Sequence, residues 1–387
     1  MTNQTGKNCR KPFLKNINRL VIKLGSNVLT NEKSLNIKII RQIAMQVHLL
    51  IQQDIRVIIV SSGAMAAGMR KMNLSSRPTE IPLRQAIAAI GQAGLIQEYE
   101  KAFDFFDIKV AQILLTRKDL SNRTRFLNAR NTIHALLAWN VIPIVNENDT
   151  VAVEEIKFGD NDNLSAMIAL LLNADLLINL TDISGLYDKD PRACTDACFI
   201  PVVESFSRDL EAYASGIPGA LGTGGMLTKI KAAQKVTTAG IPMVIAKASE
   251  NVLTQIIQGE DTGTFFVPRN QKMKNRKCWI AFSKKTRGHI QIDDGAVRAI
   301  LNKGKSLLAI GVIGIQGKFA IGDAVAIETQ SGQEIGIGLT NYNSEDIQLI
   351  MRKKSHEIKD ILGEKLYDEV IHRDNMVITE WNEQKQG

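Results

Sequence analysis

The chain has 387 residues, of which 44% are hydrophobic and 23% are charged. This is the balance of an ordinary globular protein with room for two domains, and it excludes wholesale disorder, a collagen-like repeat and a disulfide scaffold. The longest apolar run, 166–180, is broken by polar residues and is too short to cross a bilayer. The basic N-terminus lacks a signal peptide's apolar core. Scattered cysteines without an export signal predict a cytoplasmic protein without membrane contact, in which Cys194 and Cys198 are free thiols.

The net charge of +8 is unevenly distributed. Residues 1–31 hold six basic and no acidic side chains, and residues 269–287 hold eight basic and no acidic side chains, so the rest of the chain is mildly acidic. We interpret the two basic stretches as a solvated tail and a solvated linker. An alternative is that the second stretch attracts RNA. That alternative is not favoured, because the residues after 268 offer few aromatic rings on which bases could stack.

Short β-branched runs alternate with helical patterns over the first 268 residues. Strands are predicted at 19–24, 55–60, 108–115, 141–145, 176–180 and 241–246. Helices are predicted at 39–51, where apolar residues recur every three or four positions, and after Pro82. This order predicts an α/β fold with a mainly parallel open sheet and helices on both faces. The carboxyl ends of the strands would then share one edge, where ligands bind in such sheets.

The pattern changes after Pro268. Short apolar runs punctuated by glycine predict a small C-terminal β-barrel-like domain, with one helix at 295–302 and a final helix over 344–366. We therefore divide the chain into a first domain of residues 1–268, a basic linker of residues 269–284, and a second domain of residues 285–387 that ends in a helix.

Polar and glycine-rich clusters follow the predicted strands or lead into helices. They are KLGS (23–26), SSGA (61–64), NEND (146–149), TD (181–182) and GTGGMLTK (222–229). Glycines and hydroxyls before helices leave backbone N–H groups to face an anion. Lys23 and Lys229 supply positive charge, and Asp160 and Asp162 supply carboxylates that could orient the lysines or contact magnesium.

No Ser–His or Cys–His arrangement accompanies these clusters, and the P-loop and dinucleotide-binding glycine motifs are absent. A site rich in glycine, lysine and carboxylate without an evident base favours phosphoryl transfer, which requires mainly positioning and charge neutralisation.

The motifs together resemble the glutamate 5-kinases of the amino-acid kinase family. The segments that carry the resemblance are VIKLGSNVLT (21–30), SSGAMAAG (61–68), NENDTV (146–151), FGDNDNLSA (158–166), LTDISGLYDKDP (180–191) and GTGGMLTKIKAA (222–233). The C-terminal part is similar to a PUA domain through IDDGAVRAI (292–300), GKSLLAIGV (304–312), GDAVAIE (322–328) and IGIGLTNYNS (335–344).

The resemblance implies the amino-acid kinase fold and ATP-dependent phosphorylation of the γ-carboxylate of L-glutamate, the first step of proline biosynthesis. ATP is then a substrate and Mg²⁺ a cofactor whose protein ligands are not identified. By similarity, the catalytic residues are Lys23, Lys229 and Asp162, and the glutamate-binding residues are Ser62, Asp149 and Asn161. The ATP-binding residues would be Lys23, Thr181, Asp182, Thr223, Gly224, Gly225, Met226, Leu227, Thr228 and Lys229. The N–H groups of Gly25 and Gly63 would complete the phosphate cradle.

Several alternatives stay open at this point. The substrate could be that of another amino-acid kinase, such as an acetylglutamate, aspartate or carbamate kinase. Asn146 and Asn148 could brace their loop or contact the substrate. The resemblance also implies feedback inhibition by proline and a homo-oligomer. The polar segment 118–130 is a candidate for the regulatory loop, and its alternative is the start of a solvated helix.

Overall fold

The computed structural model describes residues 10–30, 35–152, 161–206, 210, 225–269, 277, 279–280 and 286–378. Residues 1–272 form one compact unit and residues 273–387 form a second. The finer division into domains of 1–268 and 285–387 with a linker of 269–284 stays a prediction. Within the described ranges, no helix has both the length and the apolar character of a membrane span.

The first unit alternates strands and helices, as predicted. Its strands are β1 (Arg19–Leu24), β2 (Arg56–Ser61), β3 (Val110–Leu115), β4 (Ile142–Glu147), β5 (Leu176–Thr181), β6 (Leu186–Tyr187), β7 (Phe199–Ile200), β8 (Val202–Val203), β9 (Met243–Lys247) and β10 (Thr264–Phe266). Its helices are α1 (Lys11–Leu14), α2 (Ser26–Leu29), α3 (Ile37–Ile51), α4 (Ala64–Lys71), α5 (Ile81–Asp104), α6 (Arg117–Ser121), α7 (Arg123–Ala138), α8 (Asn161–Leu172), α9 (Met226–Thr238) and α10 (Val252–Ile257).

Eight of these strands form one sheet in the order β3-β4-β2-β1-β5-β9-β10-β8. The six strands from β3 to β9 are parallel, and β10 pairs with β9 in the antiparallel direction. The prediction of a mainly parallel sheet is confirmed. The six predicted strands correspond to β1, β2, β3, β4, β5 and β9, whereas the antiparallel edge was not predicted.

Helices cover both faces of the sheet, as the crossover rule requires. Ile22 and Leu24 of β1 share a core with apolar residues of α3 and α5. Helix α8 packs on β1, β2, β4 and β5 from the other side. Because side chains alternate along a strand, Lys23 lies on the α8 face, between two residues that face α3 and α5.

Two glycines allow α4 and α5 to cross in direct contact. A Cβ atom on Gly68 would lie 1.8 Å from the carbonyl oxygen of Ile87, and one on Gly91 would lie 1.8 Å from that of Ala64. Any larger residue would force the helices apart. The crossing fixes α5 against the loop that follows β2.

Arg10 of the basic N-terminal stretch is 2% exposed, so the expectation of a solvated tail is wrong at this residue. Its guanidinium donates to four backbone carbonyl oxygens, those of Pro201 (2.8 Å), Glu260 (3.1 Å), Thr262 (2.9 Å) and Gly263 (2.8 Å). A planar group with five donors can satisfy several carbonyls at once, which a lysine ammonium cannot do in the same geometry.

The second unit contains strands β11 (Gly288–Ile292), β12 (Val312–Gln316), β13 (Ala324–Glu328), β14 (Glu334–Leu339) and β15 (Met376–Ile378), with helices α11 (Asp294–Lys303), α12 (Ser344–Ile350) and α13 (Ile358–Leu362). The strand order is β12-β11-β13-β14-β15, and the unit has its own apolar core around Ile290, Ile327 and Ile335. The prediction of a β-rich second domain is confirmed.

Two details of the second unit differ from expectation. The predicted helix over 344–366 is two short helices, because the chain turns at Arg352, which has a φ of 63° and whose N–H bonds to the carbonyl of Ala309. Strand β15 then follows. Within the predicted solvated linker, Trp279 and Ile280 are buried.

Candidate active site

The carboxyl ends of four parallel strands bring the predicted clusters to one edge of the sheet. Leu24 at the end of β1 pairs in register with Ser61 of β2 and Leu180 of β5. Leu115 at the end of β3 pairs with Glu147 of β4. The loops that begin at residues 25, 62, 148 and 182 therefore leave the sheet side by side, as the sequence predicts.

Two buried lysines from distant parts of the chain meet at one carboxylate. The Nζ atom of Lys23 lies 2.6 Å from Asp162 Oδ1, and the Nζ atom of Lys229 lies 3.2 Å from Asp162 Oδ2. All three side chains are at least nine-tenths buried. The predicted catalytic residues are thus in direct contact, although their roles stay a proposal.

Asp162 is held in its ionised form by its neighbours. Burial alone would raise the pKa of its carboxyl, but the charges of Lys23 and Lys229 hold that pKa far below its usual range, assisted by hydrogen bonds. Asn179, which pairs in register with Lys23 on the sheet, donates to Oδ1 (2.8 Å), and Thr228 donates to Oδ2 (2.6 Å). Each oxygen of the carboxylate therefore bridges a lysine and a neutral donor.

The predicted nucleotide-binding segments lie beside this cluster. Thr181, the last residue of β5, donates to Asp182 Oδ1 (3.0 Å), and Asn27 of α2 donates to Asp182 Oδ2 (3.2 Å). These two bonds lower the pKa of Asp182, against the effect of its partial burial. Gly225 precedes α9, whose first turn contains Met226, Leu227, Thr228 and Lys229. Thr223 and Gly224, like Asp160, lie outside the described residues.

Ser62 and Asn161, predicted to bind the amino acid, are in contact. The amide nitrogen of Asn161 lies 2.9 Å from Ser62 Oγ, 3.0 Å from the Ser61 carbonyl oxygen and 3.0 Å from Asn146 Oδ1. Asn161 Oδ1 is buried and has no hydrogen-bond partner among the described residues. Asn146 itself braces the loop, because its Oδ1 also accepts the N–H of Glu147 (2.9 Å).

Asp149, the third predicted residue, lines a pocket of about 250 Å³. The pocket is lined on one side by Ala88 and Gln92 of α5, and on the other by Gln112 and residues 147–150. Burial raises the pKa of Asp149 to about 6, and the nearby Arg77 and Arg84 oppose this shift. A carboxylate in such a position gains by pairing with a cationic group of a ligand.

The two glycines whose N–H groups were predicted to bind phosphate, Gly25 and Gly63, lie in different backbone settings. The N–H of Gly25 donates to the carbonyl of Leu180 (3.2 Å), so it is engaged within the fold and that part of the prediction is wrong. Gly63 precedes α4 with a φ of 101°, a conformation that favours glycine.

Segment 118–130 is helical, contrary to its interpretation as a loop. Thr116 and Asp119 form a capping box at the start of α6, and Asn122 caps α7 through the N–H of Arg125 (3.1 Å). The helix-start alternative describes the structure of this segment, and a regulatory role for it stays a prediction. Cys194 and Cys198 are both free thiols, as predicted.

The side chains that the structure describes do not form a resident metal site. Within the described ranges, no three His, Cys, Asp or Glu side chains are placed to hold one ion. Asp162, the central carboxylate, already bridges two ammonium groups and two neutral donors.

Sequence reasoning missed three side chains that support the site, Gln92, Tyr99 and Asn179, whereas bracing of the loop by Asn146 was one of the two alternatives it left open. Tyr99 Oη lies 2.9 Å from Ser61 Oγ, and Gln92 Oε1 accepts from Asn146 Nδ2 at 2.7 Å. A polar Asn179 within the apolar strand LLINLT was a usable signal, because an amide in a buried strand needs a partner. Gln92 and Tyr99 gave no local signal within a long helix.

Comparison with known proteins agrees with this geometry. Residues 18–247 match the model of the amino acid kinase family, and residues 288–362 match the PUA domain. The glutamate 5-kinase of Caldanaerobacter subterraneus subsp. tengcongensis is 50% identical over 371 residues, which cover 95% of this chain and 100% of the relative. That of Syntrophus aciditrophicus is 46% identical over 370 residues, which cover 95% and 96%.

Among solved structures, the carbamate kinase from Giardia lamblia bound to AMP-PNP has a TM-score of 0.47 at 18% identity, covering 65% of this chain and 98% of that chain. By contrast, the family model matches residues 18–247, and the two curated relatives cover 95% of this chain at 46–50% identity. The chain belongs to the amino acid kinase family, among its glutamate 5-kinases, and carries a C-terminal PUA domain.

Proposed function

We propose that the protein transfers the γ-phosphoryl group of ATP to the γ-carboxylate of L-glutamate, giving L-glutamyl 5-phosphate for proline biosynthesis. The observation that carries the proposal is the pair of buried lysines on one carboxylate, at the sheet edge where the predicted substrate loops meet. The similarity to curated glutamate 5-kinases over nearly the whole chain supports the choice of substrate.

The chemistry needs charge neutralisation more than proton transfer. The side chain of free glutamate has a pKa of about 4.3, so its carboxylate is ionised at neutral pH and requires no general base. One carboxylate oxygen attacks the γ-phosphorus, the bond from that phosphorus to the β–γ bridging oxygen breaks, and ADP leaves. Lys23 and Lys229 carry two positive charges against the single negative charge of Asp162. The excess positive charge offsets the repulsion between two anions and stabilises the transferring phosphoryl.

The amino acid binds on the other side of the lysine cluster from the nucleotide. Asp149 pairs with the substrate ammonium, which makes its ionised form more stable than in the empty site. Ser62 offers a hydroxyl, and Asn161 offers a buried amide oxygen that has no partner among the described residues. Thr181, Asp182 and residues 223–229 bind ATP in this proposal.

Magnesium enters this proposal as the ion carried by the phosphates of ATP, because the described side chains form no resident site. When bound, the ion lowers the negative charge of the polyphosphate.

Feedback inhibition by proline and a homo-oligomeric state are expectations from the family resemblance. RNA binding by the second domain is the less favoured alternative, and a salt-dependent filter-binding titration tests it.

A coupled ADP-release assay tests the function directly. We expect ADP release that depends on L-glutamate, with N-acetyl-L-glutamate, L-aspartate and carbamate as the comparison panel. Addition of proline tests the regulatory expectation in the same assay. Turnover that prefers another member of the panel would replace L-glutamate as the substrate.

A further inference from the structure

A chain of buried hydrogen bonds links helix α5 to both amino-acid loops. Gln92 and Tyr99 lie seven residues apart, two helical turns, and so face the same way from α5. Tyr99 Oη contacts Ser61 Oγ (2.9 Å) after β2, and Gln92 Oε1 accepts from Asn146 Nδ2 (2.7 Å) after β4. Asn161 joins the two loops through Ser61 and Asn146.

Backbone groups fix the direction of these bonds. Asn161 must present its Nδ2 group to the Ser61 carbonyl oxygen (3.0 Å), because that oxygen can only accept. Asn146 must present its Oδ1 to the Glu147 N–H (2.9 Å), because that group can only donate. Asn146 Nδ2 therefore donates to Gln92, and Gln92 must accept this hydrogen bond through its Oε1 atom. The Nε2 group of Gln92 is left on the side away from Asn146.

This Nε2 group is an unsatisfied donor at a ligand pocket. Gln92 is 7% exposed, and its Nε2 atom has no hydrogen-bond partner among the described residues. Its side chain lines the 250 Å³ pocket that also contains Asp149. A buried amide donor without a partner is costly, and an acceptor from a bound molecule would remove that cost.

We propose that Gln92 is a specificity-determining residue: its Oε1 positions Asn146, and its Nε2 donates to the α-carboxylate of the amino acid bound beside Asp149. The inference rests on the proposed function, because it assigns one end of that substrate.

The geometry favours the α-carboxylate of the substrate, rather than its γ-carboxylate, as the acceptor of the Gln92 Nε2 hydrogen bond. The lysine cluster that receives the γ-carboxylate lies on the α8 face of the sheet, whereas α5 covers the opposite face. The pocket contains neither Lys23 nor Lys229. The ammonium and the α-carboxylate of an amino acid are attached to the same carbon, so one pocket that contains Asp149 and Gln92 can bind both groups. Because Glu147 also lines the pocket, the incoming carboxylate needs such a donor, and Arg77 and Arg84 near Asp149 add positive charge.

The test compares Gln92→Glu with Gln97→Glu, the same change at an exposed position of α5. Gln92→Glu keeps an oxygen for Asn146 and replaces the donor with a group that repels a carboxylate. The assay measures the KM for L-glutamate, the KM for ATP, and the inhibition constant of 4-aminobutyrate, which has the ammonium and the distal carboxylate but no α-carboxylate.

We expect Gln92→Glu to raise the KM for L-glutamate about 10- to 100-fold, with the KM for ATP changed less than about twofold. The inhibition constant of 4-aminobutyrate should change far less, so that the preference for L-glutamate shrinks. Gln97→Glu should match the wild-type protein. Gln92→Met, which removes both polar atoms, should lose the same preference and also melt at a lower temperature.

An unchanged preference in both Gln92 variants would overturn the inference. An equal loss of affinity for L-glutamate and for 4-aminobutyrate would also overturn it, because Gln92 would then only position Asn146. If Gln92→Glu does not fold, the preference measured with Gln92→Met decides. Wild-type protein without glutamate-dependent ADP release would instead refute the proposed function, so the two failures are distinguishable.

Discussion

The described part of the first unit buries positive charge in two places and stabilises it in two different ways. Arg10 donates to four neutral backbone carbonyls at 2.8–3.1 Å, and its guanidinium lies 3.8 Å from the carboxylate of the exposed Asp261. Lys23 and Lys229 instead share the one carboxylate of Asp162, at the sheet edge where the predicted substrate loops meet. Both arrangements offset the cost of removing a cation from water, but only the second leaves an excess of charge at a ligand site.

The difference separates a structural cation from the pair of lysines that we propose to be catalytic. Arg10 connects the start of the chain to residues 201 and 260–263 at the far side of the sheet, and its bonds require no ligand. The lysines are held at fixed positions by Asp162, so they need no reorganisation when a phosphoryl group arrives. Substitutions at the two places should therefore affect different measurements.

Lys229→Ala should give the largest effect. Removing one of the two positive charges that face the transferring phosphoryl should lower kcat by about 10³-fold, by analogy with loss of one oxyanion-stabilising donor. The melting temperature should change little, since Asp162 keeps Lys23 as a partner. Lys231→Ala, an exposed lysine on the same helix, is the matched control and should keep wild-type turnover. A well-folded Lys229→Ala protein with near-normal kcat would remove Lys229 from the mechanism.

Arg10→Ala should show the opposite pattern. Buried carbonyls would lose their donor, so the free energy of unfolding of the first unit should fall by about 2–4 kcal/mol. The kcat measured below the melting transition should stay within about twofold of wild type. Lys15→Ala, an exposed basic residue nearby, is the control for loss of charge in the same segment. Denaturant titration of both variants measures the effect, and equal stability would mean that Arg10 contributes nothing to the fold.

Asp149 extends the comparison to a partly buried negative charge that we propose pairs with the substrate ammonium. Its pKa is raised from 3.8 to about 6, so the native state binds more protons than the unfolded chain between these values. Its contribution to stability is therefore present below about pH 4 and is lost as the pH rises through 6. The kcat/KM for L-glutamate should in turn fall as the pH drops below about 6, because the ammonium loses its ionised partner.

Asp149→Asn should abolish the pH dependence of stability and the fall of kcat/KM for L-glutamate below about pH 6. At pH 7.5 the unliganded variant should melt at a higher temperature than wild type, while its KM for L-glutamate rises about tenfold or more. The KM for ATP should change much less. Equal increases in both KM values, or an unaltered pH profile of kcat/KM, would count against an ionic contact between Asp149 and the substrate.

Thr228→Val should give the smallest effect. It removes the 2.6 Å hydrogen bond to Asp162 Oδ2 but leaves both lysines in place. We expect a two- to tenfold loss of kcat, because Asp162 loses one hydrogen-bond donor but keeps both lysines. Thr228→Ser, which keeps the hydroxyl that donates to Asp162, is the matched control and should stay close to wild type. A loss as large as that of Lys229→Ala would show that orientation of Asp162 matters as much as charge.

Sequence predicted the parts of the molecule that local patterns determine. The strand–helix alternation gave the parallel sheet, and the polar clusters after strands located the site, because parallel strands end at one edge. Side chains that are buried by contacts with residues far away in the sequence show no such local pattern. Arg10 sits in a basic stretch typical of a solvated tail, yet it contacts carbonyls some 190–250 positions away. Gln92 and Tyr99 support the amino-acid loops from within a helix whose sequence shows only its apolar periodicity.

The kcat values of Lys23→Ala, Lys229→Ala and the double variant test the central claim most directly. Two ammonium groups that act together on one phosphoryl should be strongly non-additive, so the double variant should lose little more turnover than the worse single variant. Single variants with near-wild-type kcat, or losses that simply multiply in the double variant, would contradict a shared role in phosphoryl transfer.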